Sequence, residues 1–485
     1  MKKIMLIYPP GKMYQRGEDR CQLNVSMSSA NSMRACNDLG YASAILKKRG
    51  YKIFLKDYQS EQLTIDNLLE DVKNQQPDLI FLSTTNATIF DDIEVIKQIK
   101  NVKSDIVVII KGAIFYDCNE NLLSKIDTNS ADYLIGGEEE FIIGDLVDYH
   151  FNDKEKIRTL SSIIYLKDGK FVKNEHTDFC EDLDSLPFPD REEMNNSLYV
   201  MPDTGEKLAT ISTSRGCPSS CIYCLSPHIS GRKIRYRSPQ NILDELSECY
   251  FKFGIRNFFF KADTFTMNKD WTKELCNLII NSKLHGKINW VANSRVNTVD
   301  FEILTLMKTA GCSLIAFGLE SGSDDSLKKM KKNTTVEQNY ETVQLAKKAG
   351  LQTFGFYIIG FPWEDFSHFE LTRKAMFRND TDFIELHIAT PFVGTAFYNM
   401  LKDEGRITDE VYGKSHFDYI NSVNKDLSPQ DIEKFRQKTV LEYYTRPSYI
   451  VKKISKSILK PKIIFNYCKY GIRLLANSLS VLLRK

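Results

Sequence analysis

Short apolar runs alternate with amphipathic stretches through the first 150 residues of the chain. Five runs rich in Ile, Leu, Val and Phe occupy residues 2–8, 52–57, 78–83, 105–111 and 131–136. The stretches between them, such as 39–48 and 63–73, repeat apolar residues at helical spacing. This alternation predicts an α/β domain in which helices cover both faces of a parallel sheet. We therefore expect a Rossmann-like (flavodoxin-like) domain over residues 1–150, with ligands at the carboxyl ends of its strands.

A second alternating series covers residues 205–400. Six apolar runs of strand length occupy residues 208–213, 257–262, 288–293, 314–319, 354–360 and 383–389. Helical stretches separate the runs, and six consecutive units of this kind predict a partial (β/α)6 barrel of the TIM type. Functional residues of such barrels gather on the loops that follow the strands. We expect the active site on those loops.

The other two segments have different patterns. Residues 151–204 are expected to form a connector, with a hairpin turn at Asp168-Gly169 and a proline-rich run at 186–190 that cannot be helical. Residues 401–485 are expected to form a helical C-terminal region. The chain is thus expected to have four parts: 1–150, 151–204, 205–400 and 401–485.

The end of the chain is basic and amphipathic. No Asp or Glu follows Glu442, while basic residues are spread among apolar ones at Lys452, Lys453, Lys456, Lys460, Lys462, Lys469, Arg473, Arg484 and Lys485. The apolar pattern is interrupted too often to span a bilayer. Two interpretations stay open: the tail lies on an anionic membrane surface, or it packs on the barrel with its lysines in water.

Composition narrows the class of protein. The chain has 485 residues, of which 42% are hydrophobic and 26% charged, as expected of a multidomain globular protein. Its net charge of +2 gives no general attraction for nucleic acid, which is not an expected partner. The first ten residues predict a buried strand and not a signal peptide. Eleven cysteines then indicate a cytoplasmic protein whose thiols are buried or bind metal.

Three cysteines have a spacing typical of metal chemistry. Cys217, Cys221 and Cys224 directly follow the first strand of the second series. So short a loop can bring three thiolates onto one [4Fe-4S] cluster, whose fourth iron then has no protein ligand. S-adenosylmethionine (SAM) could bind that iron and be cleaved to a 5′-deoxyadenosyl radical. A zinc site with His228 as the fourth ligand and a set of inert buried thiols are the alternatives.

The cysteine loop resembles the CxxxCxxC signature of the radical SAM superfamily, including the aromatic Tyr223 before the last cysteine. Five further loops resemble that family in register across the barrel. The resemblance implies that SAM is held by Asp263 at its amino group, by Ser294, Arg295, Glu320, Ser321 and Gly322 at its ribose and carboxylate, and by the segment 355–364, which includes Gly360, at its adenine. Residues 391–395 resemble the PxxGT motif of the sixth strand. Taken singly, these residues also suit helix caps, ion pairs and turns.

The resemblance is to those superfamily members that carry an N-terminal cobalamin-binding domain. It implies cobalamin over the strand ends of the first domain, at Tyr8, Pro9, Ser83, Thr84, Gly112, Gly137 and Glu138. No histidine precedes His150, so the DxHxxG motif that supplies an axial imidazole is missing. The G-x-G-x-x-G fingerprint of dinucleotide-binding domains is missing as well. A first domain without a ligand is the alternative.

The expected function is cobalamin-dependent methylation of an unactivated carbon, with a small molecule or a lipid as substrate. One SAM would supply the methyl group and another the radical, and a flavodoxin or ferredoxin would supply electrons. The alternatives are radical cyclisation or carbon–carbon coupling without methyl transfer, and a non-catalytic iron-sulfur or cobalamin sensor. The tail adds peripheral membrane contact to the expected cytoplasmic location.

Overall fold

The computed structural model describes residues 1–16, 33–116, 118, 120–125, 131–167, 169–175, 179–407, 424, 426–458 and 461–482. Asp168 of the expected hairpin turn and the tail residues Lys460, Arg484 and Lys485 lie outside these ranges. The described chain contains two large sheets and a C-terminal set of helices.

The first sheet has seven strands: β1 Lys3–Tyr8, β2 Lys52–Asp57, β3 Leu79–Ser83, β4 Val107–Lys111, β5 Tyr133–Ile135, β6 Ile163–Lys167 and β7 Lys170–Lys173. Their order is β2-β1-β3-β4-β5-β6-β7, and the first five are parallel. The order 2-1-3-4-5 is that of flavodoxin-like folds, so the predicted fold class is confirmed. The hairpin β6–β7 adds two antiparallel strands, and the first sheet therefore extends into the segment that the sequence assigned to a connector.

Helices cover both faces of this sheet: α1 Asn37–Lys48, α2 Ile65–Gln75, α3 Ile89–Val102, α4 Glu120–Lys125 and α5 Ile143–Asn152. Alternate residues of β1 enter different cores, with Met5 and Ile7 on one face and Ile4 and Leu6 on the other. Every residue of β3 is buried. This double burial explains why the strands are continuous apolar runs in the sequence.

The second sheet consists of β8 Leu208–Ser212, β11 Asn257–Lys261, β12 Asn289–Ser294, β13 Cys312–Glu320, β14 Gln352–Ile359 and β15 Phe383–Ile388. All its strands are parallel and follow one another in chain order, so the expected partial barrel is confirmed. A two-stranded antiparallel ribbon, β9 Ser214–Arg215 with β10 Arg235–Tyr236, stands at the mouth of the barrel directly after β8. The cysteine loop lies between the two strands of this ribbon.

Seven helices connect the barrel strands and an eighth, α13, follows the last strand: α6 Ser226–Ile229, α7 Pro239–Phe253, α8 Lys269–Asn281, α9 Phe301–Thr309, α10 Asp324–Lys329, α11 Val336–Lys348, α12 Phe366–Asn379 and α13 Ala396–Asp403. The outer residues of β13, such as Ile315 and Phe317, are buried beneath these helices. On β14 the inward residues Phe354, Phe356 and Ile358 are half-buried. The barrel therefore has a dry outer layer and a partly accessible interior.

The C-terminal region is helical, as predicted, with α14 Pro429–Thr445, α15 Pro447–Ser457 and α16 Pro461–Leu482. Two tyrosines tie it to the edge of the barrel: Tyr444 donates to the carbonyl of Ile384 at 2.9 Å, and Tyr449 donates to that of Asp382 at 2.9 Å. Among the described residues, no helix has the length and apolar character needed to cross a membrane.

Candidate active site

The cysteine loop is fixed by the backbone at the mouth of the barrel. Cys217 donates its N–H to the carbonyl of Gly231 at 3.0 Å. Ile222 donates to Met330 at 3.1 Å and accepts from Phe397 at 2.9 Å, which ties the loop to α10 and α13. Cys217 and Cys221 are buried, and Cys224 is half-buried. The three thiols thus occupy a rigid, largely dry position.

Gly216 shows why the loop can enter this position. Its φ is +95°, and a Cβ at this residue would overlap the backbone carbonyl of Lys233. Only glycine adopts this conformation without strain and leaves room for the neighbouring chain. Its N–H donates to Oδ2 of Asp263 at 2.8 Å. Asp263 therefore contacts the cysteine loop itself from the end of β11.

Arg295 brings a positive charge to the cysteines. Its Nη1 donates to Sγ of Cys221 at 3.4 Å, and its Nη2 donates to the carbonyl of Lys332. Burial alone would lower the pKa of Arg295, but the adjacent Cys221 outweighs that effect and raises it. The guanidinium of Arg295 therefore lies directly beside one of the three candidate sulfur ligands.

The donor set fits an iron-sulfur cluster better than a single ion. Within the described ranges, no three His, Cys, Asp or Glu side chains are close enough to share one metal ion. A zinc site built from the three cysteines and His228 would need such a group. In a cubane each thiolate binds a different iron, so the sulfur atoms stand further apart. The three thiols of one short loop, with Arg295 beside Cys221, are compatible with that arrangement.

Glu320 closes a second side of the site. It has a φ of +59°, rare for a residue with a side chain, at a register shift between β13 and β14. Lys332 Nζ donates to its Oε1 at 2.6 Å, and both side chains are buried. Burial, and next the charge of Glu320, raise the pKa of Tyr223 well above its usual value. The carboxylate thus lies between Lys332 and the tyrosine of the cysteine loop.

The other residues implied for SAM contact neighbouring loops and helices of the barrel. Ser294 exchanges hydrogen bonds with Thr266 and, at 3.3 Å, with Thr298. Ser321 lies 3.3 Å from the hydroxyl of Thr372. Gly360 has a φ of +92° and begins the turn that follows β14. These three positions shape the loops around the cysteines.

The structure adds Glu364, which the sequence did not single out as a functional residue. Its carboxylate is buried and accepts from the N–H groups of Gly360 at 2.9 Å and Phe361 at 3.1 Å, and from the hydroxyl of Ser326 at 2.8 Å. Burial raises its pKa to about 7, although these hydrogen bonds act in the other direction. Glu364 therefore holds the turn after β14 in one conformation.

The strand ends of the first sheet have a different arrangement. Tyr8 and Ser83 both donate to the carboxylate of Asp38 in α1, and Tyr8 is only 1% exposed. Burial and the nearby Asp38 raise the pKa of Tyr8 well above its usual value. Pro9 is buried at the end of β1. Tyr8 and Ser83, both expected to face cobalamin, are thus bonded within the first domain.

A second buried carboxylate organises the end of β3. Asp92 accepts from Thr84 at 2.6 Å, from Thr88 at 2.8 Å and from both Nη atoms of Arg16 at 2.7 and 3.0 Å. Arg16 also donates to the carbonyl of Ser83 at 2.7 Å. The hydroxyl of Thr84 is therefore a structural donor in this arrangement.

The two glycines expected at the cobalamin edge are packed closely against their own chain. A Cβ at Gly112 would be 2.7 Å from Cγ2 of Thr84, and one at Gly137 would be 2.8 Å from Cβ of Ser162. Both distances are shorter than side chains tolerate. Glycine at these positions is explained by the contact between adjacent loops.

Glu138 joins the two large domains. Its carboxylate accepts from Arg235 at 2.7 and 2.8 Å in a bidentate pair, and from Arg215 at 3.0 Å. Arg215 also pairs with Glu140, whose pKa falls to about 2 because this pairing outweighs burial. We call Glu138, Glu140, Arg215 and Arg235 the interdomain clamp. It connects the end of β5 to the ribbon that carries the cysteine loop.

Two cavities lie at the carboxyl edge of the first sheet. One faces the barrel, between Asp38 and Lys111 on one side and Ser212, Lys261 and Asp263 on the other. Its volume is about 80 Å³, too small for a corrin ring unless the side chains around it move. The other is an open groove of about 510 Å³ beside the ends of β1 and β2, which is the size of a cofactor pocket.

Known proteins can now be compared with this geometry. Residues 211–376 match the model of the Radical SAM superfamily, a range that holds the cysteine loop and most of the barrel. The chain therefore contains a radical SAM domain. A relative, an uncharacterized methyltransferase of Pyrococcus horikoshii, is 28% identical over 419 residues, which are 86% of this chain and 89% of the relative.

Solved structures share the fold of most or nearly all of the chain. OxsB is a cobalamin-dependent radical enzyme that was solved with aqua-cobalamin and SAM. It matches with a TM-score of 0.69 at 15% identity, and the match covers 99% of this chain and 80% of the OxsB chain. The methyltransferase TsrM from Kitasatospora setae was solved with cobalamin and a [4Fe-4S] cluster. It matches with a TM-score of 0.66 at 16% identity, and the match covers 83% of this chain and 75% of the TsrM chain.

The candidate site is therefore formed by loops at the barrel mouth and by the added ribbon. The structure brings Asp263 and Arg295 into contact with the cysteine loop, and it places Glu320 beside Tyr223 of that loop. It gives Glu138 a partner across the domain boundary. Sequence reasoning missed the clamp, although acidic residues at 138–140 and arginines on both sides of the cysteine loop were visible signals.

Proposed function

We propose that this radical SAM enzyme transfers a methyl group to an unactivated carbon with the help of cobalamin. When bound, the cluster and SAM supply a 5′-deoxyadenosyl radical, and cobalamin supplies the methyl group. The proposal rests on one observation above all: the cysteine loop and its contacts lie at the barrel mouth, where the carboxyl edge of the first sheet meets the barrel. The methyltransferase relative and the cobalamin-binding structures of the same fold support it.

Each contact with the cysteine loop has a task in this proposal. Cys217, Cys221 and Cys224 hold the cluster, and Arg295 stabilises the thiolate of Cys221. Asp263 fixes the loop by accepting a hydrogen bond from the N–H of Gly216. We assign Ser294, Glu320, Ser321 and Gly360 to the walls around SAM. These residues orient SAM and exclude water from the reacting atoms.

The same proposal divides the chain into functional parts. Residues 1–150, with the hairpin that extends their sheet, bind cobalamin, and residues 205–400 form the radical SAM core. Tyr8, Pro9, Ser83, Thr84, Gly112 and Gly137 shape the cobalamin edge through the contacts described above. Electrons come from a flavodoxin or ferredoxin.

The barrel interior indicates a hydrophobic substrate. Phe354, Phe356 and Ile358 of β14 face inward and are half-buried, and the rings of Phe354 and Phe356 are 4.8 Å apart. The ring of His387 stacks on Phe356 with a centroid distance of 6.2 Å. Such a wall binds apolar or lipid-like groups better than strongly charged ones. We propose a lipid-like substrate and a cytoplasmic protein that works beside the membrane.

A single labelling experiment tests the function. Holoenzyme is reconstituted without oxygen, reduced, and incubated with methyl-labelled SAM and a lipid extract from cells that lack the gene. We expect release of 5′-deoxyadenosine and transfer of label into an extracted lipid, with neither product from Cys224→Ala. Release of deoxyadenosine without label in any product would contradict methylation and would indicate cyclisation or carbon–carbon coupling instead. Absence of deoxyadenosine would leave only the sensor interpretation.

A further inference from the structure

Exposed apolar side chains are concentrated at the end of the chain. Fourteen large apolar residues are exposed in the described part of the protein, and half of them lie between residues 450 and 475. These seven are Ile450, Val451, Ile454, Ile458, Phe465, Ile472 and Leu475, and each is between 43% and 70% exposed. Scattered exposed apolar residues are ordinary, but a group of this density marks a surface that binds something.

One face of α15 is docked on the barrel, and this leaves its other face exposed. Tyr449 is buried and hydrogen-bonded to the backbone of Asp382, and Nζ of Lys453 lies 3.7 Å from the centre of the Phe383 ring. The exposed apolar residues Ile450, Val451, Ile454 and Ile458 follow one another at helical spacing on the other side. The helix therefore has a docked side and an apolar outward side.

Helix α16 likewise has one docked face and one exposed face. Asn466 donates to the carbonyl of Asp203 at 2.7 Å and Tyr470 donates to that of Pro202, which fixes one face against the body of the protein. Phe465, Ile472 and Leu475 are exposed on the other face. We call the exposed residues of these two helices the α15/α16 face.

The charge on this part of the chain has one sign only. Residues 443–485 contain no Asp or Glu. Arg446 and Lys452 turn inward and pair with Asp380, so they are used within the protein. Lys462 and Lys469 are exposed beside Phe465 and Ile472. The α15/α16 face thus combines apolar side chains and cations without an anion.

We propose that the α15/α16 face docks on an anionic lipid bilayer, with its apolar residues among the lipid chains and Lys462 and Lys469 at the headgroups. This inference deepens the proposed function, because it names the surface by which the enzyme reaches a lipid-like substrate. No described helix can span the bilayer, so the protein lies on it. The basic apolar tail thereby has two roles, one on each side of its helices.

Vesicle binding tests this proposal. Holoenzyme is sedimented with vesicles of phosphatidylcholine alone or mixed with phosphatidylglycerol. We expect binding to the mixed vesicles, about tenfold or more weaker binding to phosphatidylcholine, and loss of binding at high salt. The double variant Val451→Glu/Phe465→Glu should bind mixed vesicles about tenfold less well, while Phe251→Glu, on the exposed side of α7, should bind as the unchanged protein does.

Several outcomes would overturn the proposal: no binding to mixed vesicles, equal binding to both vesicle types, or unchanged binding by the double variant. A dimer in solution that the double variant dissociates would show instead that a second copy of the chain covers this face. Vesicle binding needs no turnover, and deoxyadenosine release by the double variant should stay unchanged. Failure of the docking proposal is thereby separated from failure of the proposed function.

Discussion

The barrel mouth and the edge of the first sheet both present polar residues at the carboxyl ends of parallel strands, but their contacts converge on different groups. At the barrel mouth, Asp263 and Arg295 each contact the cysteine loop. At the first sheet, Tyr8 and Thr84 are bonded to the buried carboxylates Asp38 and Asp92. A polar residue at a strand end therefore indicates function only when its partners are also candidates for the chemistry.

The interdomain clamp connects these two regions. Glu138 comes from the first sheet, but its partners Arg215 and Arg235 belong to the ribbon on either side of the cysteine loop. Arg235 and Glu138 are buried, so their attraction is screened little by solvent. The position of the cysteine loop relative to the first domain is thus set in part by charge.

The largest effect is expected from replacing the cysteines at the barrel mouth. Cys217→Ala, Cys221→Ala or Cys224→Ala should reduce iron and sulfide content and abolish deoxyadenosine release, because each removes one of three cluster ligands. Cys468→Ala is the control, since Cys468 is exposed on α16, outside the cysteine loop. Iron analysis and chromatography of the products measure both effects. An active alanine variant of the triplet would show that the ligand set is wrong.

Removing one partner of the interdomain clamp should have the next largest effect. Glu138→Gln leaves Arg235 buried without its counter-charge, and we expect the free energy of unfolding to fall by about 3–5 kcal/mol. Urea denaturation measures this change. The matched control is Glu181→Gln, whose partner Lys233 is 72% exposed; that variant should lose at most about 1 kcal/mol.

The Glu138→Gln variant also tests whether the interdomain clamp positions the cysteine loop relative to the first domain. If the clamp positions the cysteine loop, Glu138→Gln should alter the reduction potential of the cluster, because an unpaired arginine would remain near it. Glu181→Gln should leave the potential unchanged. Equal losses of stability in the two variants would contradict the assignment of Glu138 as a buried interdomain partner.

Glu364 should make the free energy of unfolding depend on pH, by up to about 3 kcal/mol. Its folded-state pKa of about 7 exceeds the ordinary value of 4.5, so the folded protein retains a proton that the unfolded chain releases. Between about pH 4.5 and 7 this group therefore makes the protein less stable as the pH rises. Glu364→Gln should remove that contribution and gain stability relative to the unchanged protein at about pH 8. A constant difference in unfolding free energy across this range would contradict the assignment.

The smallest effect is expected at the first sheet. Thr84→Val removes one of the hydrogen bonds to Asp92, which keeps Thr88 and Arg16, and should lower the free energy of unfolding by about 1–2 kcal/mol. Deoxyadenosine release should be unaffected. The variant also separates two roles: loss of cobalamin binding at unchanged stability would identify Thr84 as a cofactor contact and not a structural donor.

Most of the fold could be predicted from local patterns in the sequence. The apolar runs predicted the strands of both parallel sheets, because each strand is buried on its outer face and signals this in a few residues. The hairpin β6–β7 was expected, but its attachment to the first sheet was not, since the pairing of β5 with β6 depends on tertiary contacts. The cysteine loop was visible because all its ligands lie within eight residues.

Long-range partners could not be predicted in the same way. Glu138 and Arg235 are 97 residues apart, and their pairing depends on how two domains dock. Tyr8 and Asp38 are 30 residues apart, and nothing local shows that the phenol turns to α1 rather than to a ligand. The sequence left open whether the tail packs on the barrel or lies on a membrane, because the two faces of its helices differ. Only the structure shows which lysines are turned inward.

The most direct measurement of the central claim is electron paramagnetic resonance of the reduced holoenzyme with and without SAM. A cluster held by three cysteines has an open iron, so the account predicts a [4Fe-4S]⁺ signal whose shape and g-values change when SAM is added. A cluster signal that stays identical after the addition, or a protein that holds no cluster after reconstitution, would contradict it.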